Sequence, residues 1–137
     1  MDPGENWAIL GKNGAGKSAL LKLLSGDVHP LVRRGSKFFF GGHDRFKPGF
    51  GLWDIRHQIG VVSPELQSHY LPETTGLEVV LSGFYGSNGL YLTPTALQRR
   101  NALKAVDGLG LLALKQRPLG TLSYGQTRKL LIARAGQ

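Results

Sequence analysis

Eight consecutive residues near the start of the chain have the types and spacing of a phosphate-binding loop. They are Gly11-Lys12-Asn13-Gly14-Ala15-Gly16-Lys17-Ser18, which fit the pattern G-x-x-x-x-G-K-[ST] at every fixed position. Phosphates are anionic and strongly hydrated, so a binding site must replace their lost water with hydrogen-bond donors. Glycines at 14 and 16 allow a sharp turn and a close backbone approach, and successive N–H groups can then point into one concavity.

Two side chains in this loop supply the remaining chemistry of a nucleotide site. Lys17 can place a point charge on the β- and γ-phosphates, and the Ser18 hydroxyl can be a ligand for Mg²⁺. We expect the backbone N–H groups from Asn13 to Ser18 to face the anion, together with the positive end of the helix that follows. The alternative is a glycine-rich turn that matches the pattern by chance.

The flanking residues predict the two elements that must position the loop. Trp7-Ala8-Ile9-Leu10 is a short apolar run that predicts a buried strand. Residues 19–25 are rich in helix formers, and Gly26 predicts where that helix stops. Strand, glycine loop and helix in this order is the context that the loop pattern requires.

Composition limits the classes of protein that the chain can belong to. Its 137 residues are the usual size of one domain, and 41% of them are hydrophobic. It has no cysteine, which excludes disulfides, zinc–thiolate sites and thiol catalysis. No apolar run approaches the roughly 18 residues of a membrane span. The first six residues lack the pattern of a signal peptide, so we expect any membrane role to come through a partner chain.

The chain is basic, with a formal net charge of +8. Such a balance permits binding to nucleic acid, to an acidic membrane surface or to a phosphate ligand. The basic residues are dispersed without a run of five and without interleaved aromatic residues, so we favour a solvated surface over direct nucleic-acid binding. The four histidines, at 29, 43, 57 and 69, have no metal-ligand spacing and are expected in loops.

Further elements follow along the chain. Strands are predicted at residues 37–40 and 59–62, and a short helical turn at residues 53–58. We expect Trp7 and the cluster Phe38-Phe39-Phe40 to lie in the core. Leu77 to Leu81 has nearly helical spacing, and a second helix is predicted with Thr93 as its cap and Pro94 at its first position. The stretch from about residue 75 to 118 is therefore predicted to be a helical insertion between sheet elements.

A second motif lies near the end of the chain. Leu122-Ser123-Tyr124-Gly125-Gln126 precedes the run Thr127-Arg128-Lys129-Leu130-Leu131-Ile132-Ala133-Arg134-Ala135. Ser123 is predicted to cap a helix that starts near Gly125, and this helix N-terminus would present free N–H groups to an anion. The alternative is an ordinary helix cap at a turn.

The two motifs in this order resemble those of ABC-type ATPases, whose signature is L-S-G-G-Q followed by a basic residue and an apolar helix. Tyr124 departs from that signature, because the family usually has a glycine there. The resemblance covers nearly the whole chain and implies an α/β P-loop NTPase fold, an ABC-type ATP-binding core with a helical subdomain. It divides the chain into a phosphate-loop core (1–74), a helical subdomain (75–120) and the signature motif with its helix (121–137).

The resemblance also implies the ligands and the site residues. Two such domains pair head to tail and enclose two ATP molecules with Mg²⁺, so that the signature of one domain reaches the nucleotide on the other. Lys17, Ser123 and Gly125 would then act in catalysis, and Ser18 would hold the metal. The residues that would contact nucleotide are Gly11, Asn13, Gly14, Ala15, Gly16, Lys17, Ser18, Ala19 and Gln126.

Four features of the family are missing or altered. The aromatic residue that stacks on adenine would lie before Met1, and the acidic Walker B strand and switch histidine would lie after Gln137. Pro64 stands where the family has the loop glutamine that senses Mg²⁺ and the attacking water. Glu65 or Gln67 is the residue that we expect to take over the role of that glutamine. We therefore expect an incomplete domain whose 137 residues alone hydrolyse ATP very slowly or not at all.

The resemblance extends to a subfamily and to possible partners. Gly4-Glu5-Asn6-Trp7 and Val62-Ser63-Pro64-Glu65-Leu66-Gln67 are similar to soluble tandem ATPases named for molybdate transport or photorepair. The implied function is ATP binding and hydrolysis in an ABC-type system, with a second ATP-binding domain and a membrane permease as partners. The implied location is cytoplasmic, peripheral at the inner face of the membrane. Two alternatives remain, a non-catalytic nucleotide-binding module and a soluble ATPase that acts on DNA or ribosomes.

Overall fold

The computed structural model describes residues 5–29, 31, 35–40, 42–44 and 58–137. The chain divides into two compact units, Met1–Arg56 and His57–Gln137. The boundaries at residues 74 and 120, which the family resemblance suggests, stay predictions. Residues 53–57 of the predicted helical turn lie outside the described residues.

The first unit contains one helix and one small hairpin among its described residues. Helix α1 spans Lys17–Leu24 and directly follows the glycine loop. It ends as predicted: Ser25 is its C-cap, and Gly26 has a φ of 80°, the left-handed conformation that terminates many helices. The hairpin pairs β1, Phe39–Phe40, with β2, His43–Asp44, in antiparallel register, and Gly42 in its turn has a φ of 81°.

Three predictions for the first unit are wrong in whole or in part. Residues 7–10 form no strand, because a strand needs ladder partners and no described segment pairs with them. The strand predicted at 37–40 is limited to its last two residues. Trp7 and Phe39 are not in the core either, since their side chains are 63% and 60% exposed.

The second unit is helical. Helix α2 spans Pro64–Ser68, α3 spans Gly76–Leu81, α4 spans Ala96–Gly108 and α5 spans Tyr124–Ala135. Three 3₁₀ turns connect them, Ser82–Tyr85, Leu112–Leu114 and Leu119–Thr121. The helix predicted at residues 77–81 is thus confirmed. The strand predicted at 59–62 is wrong, because these residues have no ladder partner in the described part of the chain.

Three of these helices begin with a capping box. Thr75 with Glu78 caps α3, Thr95 with Gln98 caps α4, and Ser123 with Gln126 caps α5. The box needs a hydroxyl at the cap and a Glu or Gln three residues later. Thr93 has Ala96 three residues later and so cannot form the box. The cap predicted at Thr93 and the first helical position predicted at Pro94 are therefore wrong, and Thr95 caps the helix instead.

The core of the second unit forms where α3 packs against both α4 and α5. The first-turn N–H groups of Gly76 and Leu77 donate to the carbonyls of Arg117 and Lys115, which fixes the start of α3 against the chain that leads to α5. Among the described residues, every buried hydrophobic side chain belongs to this unit: Tyr70, Leu77, Val79, Val80, Leu81, Ala102, Val106, Leu111, Leu119, Leu130, Leu131 and Ala133. Helix α5 is therefore held in place by the buried side chains that it contributes to this core.

Candidate functional site

The glycine loop has the backbone conformation that its sequence pattern requires. Gly14 and Gly16 have φ values of 81° and 88°, and Gly16 is the N-cap of α1. A Cβ on either residue would meet no atom within 4 Å, so these glycines are needed for their left-handed φ and not for space. The turn closes with the Ala15 N–H donating to the Lys12 carbonyl at 3.2 Å.

The Lys17 side chain lies along the loop. Its ammonium group donates to the carbonyl oxygens of Gly11 and Lys12, each at 2.8 Å. These contacts place the charge at the start of the turn that the Lys12 carbonyl and the Ala15 N–H close. A lysine ammonium has three donors, so one remains for a phosphate oxygen.

The loop and the start of α1 present unpaired backbone donors. Among residues 11–19, all of which the structure describes, Ala15 is the one whose backbone N–H is paired. The other donors include those of the first helical turn, where the partial positive charge of the helix is greatest. The loop residues 11–16 and Ser18 and Ala19 are exposed, and Lys17 is half-buried. This arrangement can bind an anionic oxygen group, with the Ser18 hydroxyl open to a cation.

The signature segment presents a second helix N-terminus. The Gln126 N–H donates to Ser123 Oγ at 3.3 Å, and the Ser123 N–H donates to Gln126 Oε1 at 2.9 Å. The Thr127 N–H donates to the Ser123 carbonyl at 3.0 Å. In this described segment the free donors are therefore the N–H groups of Tyr124 and Gly125, fewer than an uncapped helix would present.

The Ser123 hydroxyl has two capacities in this geometry. Its oxygen accepts from the Gln126 N–H, while its own hydrogen can donate to another group. A Cβ on Gly125 would meet open space apart from its chain neighbours, so the surface beside this residue is accessible. The predicted cap at Ser123 is confirmed, with the helix starting at Tyr124.

The segment that would carry the loop glutamine begins α2. Pro64 occupies the first helical position, and the Ser63 hydroxyl accepts from the Leu66 N–H at 3.0 Å. Of the two proposed substitutes, Glu65 is exposed, whereas the side-chain oxygen of Gln67 is buried without a hydrogen-bond donor. Gln67 thus points its carbonyl into the protein, and Glu65 is the more accessible of the two.

The two motifs lie in different compact units, the glycine loop in Met1–Arg56 and the signature in His57–Gln137. The sequence interpretation missed one pair at the signature, where the guanidinium carbon of Arg128 lies 5.4 Å from the centroid of the Tyr124 ring. Their i, i+4 spacing on a helix is the signal that could have found this pair.

The described residues limit two other kinds of site. In the described ranges, no group of three or more His, Asp and Glu side chains could hold a metal ion. None of the helices that the structure describes combines the length and the apolar character that a membrane crossing needs.

Comparison with known proteins gives the class to which this fold and these motifs belong. The model of the ABC transporter family matches residues 1–136, and the chain therefore belongs to that family. It is a P-loop NTPase with the ABC fold, and its described residues form several helices and little sheet.

Individual relatives are ATP-binding proteins of this family. The chain is 40% identical over 136 residues to the ABC transporter ATP-binding protein ModF of Escherichia coli K12, covering 98% of this chain and 27% of that protein. It is 39% identical over 131 residues to the uncharacterized ABC transporter ATP-binding protein YlmA of Bacillus subtilis, covering 96% and 48%. It is 34% identical over 128 residues to the zinc transport system ATP-binding protein TroB of Treponema pallidum, covering 93% and 44%. The chain thus spans between about a quarter and a half of the length of these relatives.

Proposed function

We propose that this chain binds ATP with Mg²⁺ at the loop formed by residues 11–18. The observation that carries the proposal is the loop geometry, two left-handed glycines that lead into α1 with Lys17 folded beside the turn. In this proposal Lys17 and the loop N–H groups bind the β- and γ-phosphates. Gly11, Asn13, Gly14, Ala15, Gly16 and Ala19 provide backbone contacts, and the Ser18 hydroxyl coordinates Mg²⁺.

The signature would serve a second nucleotide. The Tyr124 and Gly125 N–H groups and the Ser123 hydroxyl hydrogen have no partner among the described residues at the exposed start of α5 and suit a γ-phosphate. In the proposed assembly that phosphate belongs to ATP on a second ABC ATP-binding domain, paired head to tail with this one. Gln126 contributes indirectly in the described geometry, because its side-chain oxygen orients Ser123.

The activity of the whole protein is proposed to be hydrolysis of ATP in a transport system. Family membership supports this, and so do relatives named as ATP-binding proteins of ABC transporters and of a zinc transport system. A membrane permease would then be the partner, and the protein would be cytoplasmic and peripheral to the membrane. Catalysis would rest on positioning and charge stabilisation by Lys17, Ser123 and Gly125.

One observation favours a second candidate, a nucleotide-binding module that does not hydrolyse ATP. Pro64 stands where the family has its loop glutamine and begins α2, so no amide side chain is available at that position. ATP would then regulate association without being consumed. Release of phosphate during ATP-driven association distinguishes the two candidates, because only the hydrolase produces it.

A lysine pair within the loop provides the test. Lys17→Ala and Lys12→Ala remove the same charge, but only the Lys17 ammonium lies against the loop carbonyls. We expect Lys17→Ala to weaken Mg-ATP binding, measured by isothermal titration calorimetry, by about tenfold or more, as expected for a charge-assisted contact. Lys12→Ala should bind within about threefold of the wild type. Equal losses in both variants, or no ATP binding by the wild type, would contradict the proposal.

A further inference from the structure

The first residue of α5 carries a large aromatic side chain directly beside the free backbone donors. Tyr124 is 60% exposed and follows the capping residue Ser123. Side chains on a helix tilt toward its N-terminus, so a ring at this position leans toward the space in front of the Tyr124 and Gly125 N–H groups. A phosphate that approaches these groups would need that space. The ring must therefore be kept to one side if the helix terminus is to accept an anion.

Arg128 contacts the ring that would otherwise be free to move. Its guanidinium carbon lies 5.4 Å from the ring centroid, within the range of a cation–π interaction. Because Arg128 is one helical turn further along the same face, this contact fixes the ring on the flank that carries residues 124 and 128. The ring is thereby held away from the open surface beside Gly125, which lies about 100° further around the helix than Tyr124.

Arg128 makes no hydrogen bond or ion pair in the described part of the chain. It is half-buried, and its Nη1 atom is buried without a hydrogen-bond acceptor. Its one polar contact among the described residues is with the Tyr124 ring. The Arg128 guanidinium therefore interacts with the Tyr124 ring and with no ion-pair partner. Replacing Arg128 breaks no hydrogen-bond network.

We propose that Arg128 is a positioning residue that holds the Tyr124 ring on the flank of α5 and so leaves the Tyr124 and Gly125 N–H groups open to a nucleotide phosphate. The inference rests on the proposed function, in which that phosphate belongs to ATP on a second domain. It gives a physical account of how a tyrosine is accommodated where the family usually has a glycine.

The test is a double-mutant cycle on ATP-driven association of the chain, measured by sedimentation velocity with Mg-ATP. Arg128→Met removes the cation and keeps the apolar stem, whereas Lys129→Met makes the same charge change at the next, exposed residue. We expect Arg128→Met to weaken association by about threefold to fivefold, the range expected from a cation–π contact with an exposed ring, and Lys129→Met to leave it unchanged. Tyr124→Ala should associate at least as well as the wild type. In that background Arg128→Met should have no further effect.

The outcomes separate this inference from the function on which it rests. If the wild type does not associate with Mg-ATP, or if association survives Lys17→Ala, the proposed function fails and the inference fails with it. If the wild type associates but Arg128→Met matches it, or keeps its full defect in the Tyr124→Ala background, only the inference fails. Thermal unfolding followed by circular dichroism confirms that each variant is folded, because a purely structural defect would lower the melting temperature without rescue by Tyr124→Ala.

Discussion

The hydroxyl of Tyr70 donates a hydrogen bond to Ser82 Oγ across 2.7 Å in the interior of the second unit. The direction follows from the Ser82 hydrogen, which is already donated to the Val79 carbonyl at 2.7 Å. Arg134 Nε donates to the same oxygen at 3.4 Å, and Arg134 Nη2 donates to the Ser87 carbonyl at 3.1 Å. One buried hydroxyl thus ties the segment after α2 and the end of α3 to the last turn of the signature helix.

Replacing that hydroxyl should destabilise the protein. Ser82→Ala leaves the Tyr70 hydroxyl and Arg134 Nε without their acceptor in a buried site, for which we expect a loss of about 1–3 kcal/mol in the free energy of unfolding. Ser68→Ala is the control, because its hydroxyl donates to the Glu65 carbonyl at the exposed end of α2. Urea unfolding measures both changes. A Ser82→Ala midpoint equal to that of Ser68→Ala would refute this role of the network.

Two glycines should respond to alanine with opposite signs. A Cβ at Gly83 would collide with the Arg134 carbonyl oxygen and lie 3.1 Å from Arg134 Cγ, so Gly83→Ala must push α5 away from the 3₁₀ turn. We expect Gly83→Ala to cost about 1–3 kcal/mol of stability. Gly108, the last residue of α4, has open space at its Cβ position, and Gly108→Ala should gain up to about 1 kcal/mol through helix propensity. Thermal unfolding of both variants tests the signs, and a stabilised Gly83→Ala would contradict the observed close approach.

Two glycines of the loop distinguish the requirement for a left-handed φ from the requirement for space at the Cβ position. Gly16 has a φ of 88°, which an alanine adopts at a cost of about 1–2 kcal/mol, whereas a Cβ at Gly11 would make ordinary contact with Ala15 Cβ at 3.4 Å. We expect Gly16→Ala to weaken Mg-ATP binding by about tenfold, since about 1.4 kcal/mol is a factor of ten in affinity. Gly11→Ala should have a smaller effect. Calorimetric titration with Mg-ATP orders the two variants, and the reverse order would show that space rather than φ governs the loop.

Local signals predicted the parts of the structure that local interactions determine. The stop of α1 at Gly26 and the cap of α5 at Ser123 follow from rules about one residue and its neighbours, and both are confirmed. The cap predicted at Thr93 for α4 is wrong, because a threonine followed by proline does not by itself select the capping residue. Gln98 selects Thr95 instead, because its side-chain oxygen accepts a hydrogen bond from the Thr95 N–H.

Strands were predicted poorly because they depend on distant partners. Residues 7–10 and 59–62 have the apolar composition of buried strands, yet neither segment has a ladder partner among the described residues. The positions of the side chains at the signature could not be predicted from the sequence either. The sequence predicts a helix N-terminus there, but not that the capping box uses the N–H groups of Ser123 and Gln126, or that Arg128 lies over the Tyr124 ring.

A single substitution should separate the structural role of Ser123 from its proposed role toward phosphate. Aspartate is as good a helix cap as serine, so Ser123→Asp should keep the bond from the Gln126 N–H and leave the melting temperature within a few degrees of the wild type. Its negative charge would face the phosphate proposed to bind at Tyr124 and Gly125. We expect ATP-driven association to weaken by about tenfold or more because of this repulsion.

Thr95→Asp, the same change at the cap of α4, should alter neither the melting temperature nor the association. If Ser123→Asp associates as well as Thr95→Asp does, Ser123 is only a helix cap, and the phosphate contact at the signature must be withdrawn.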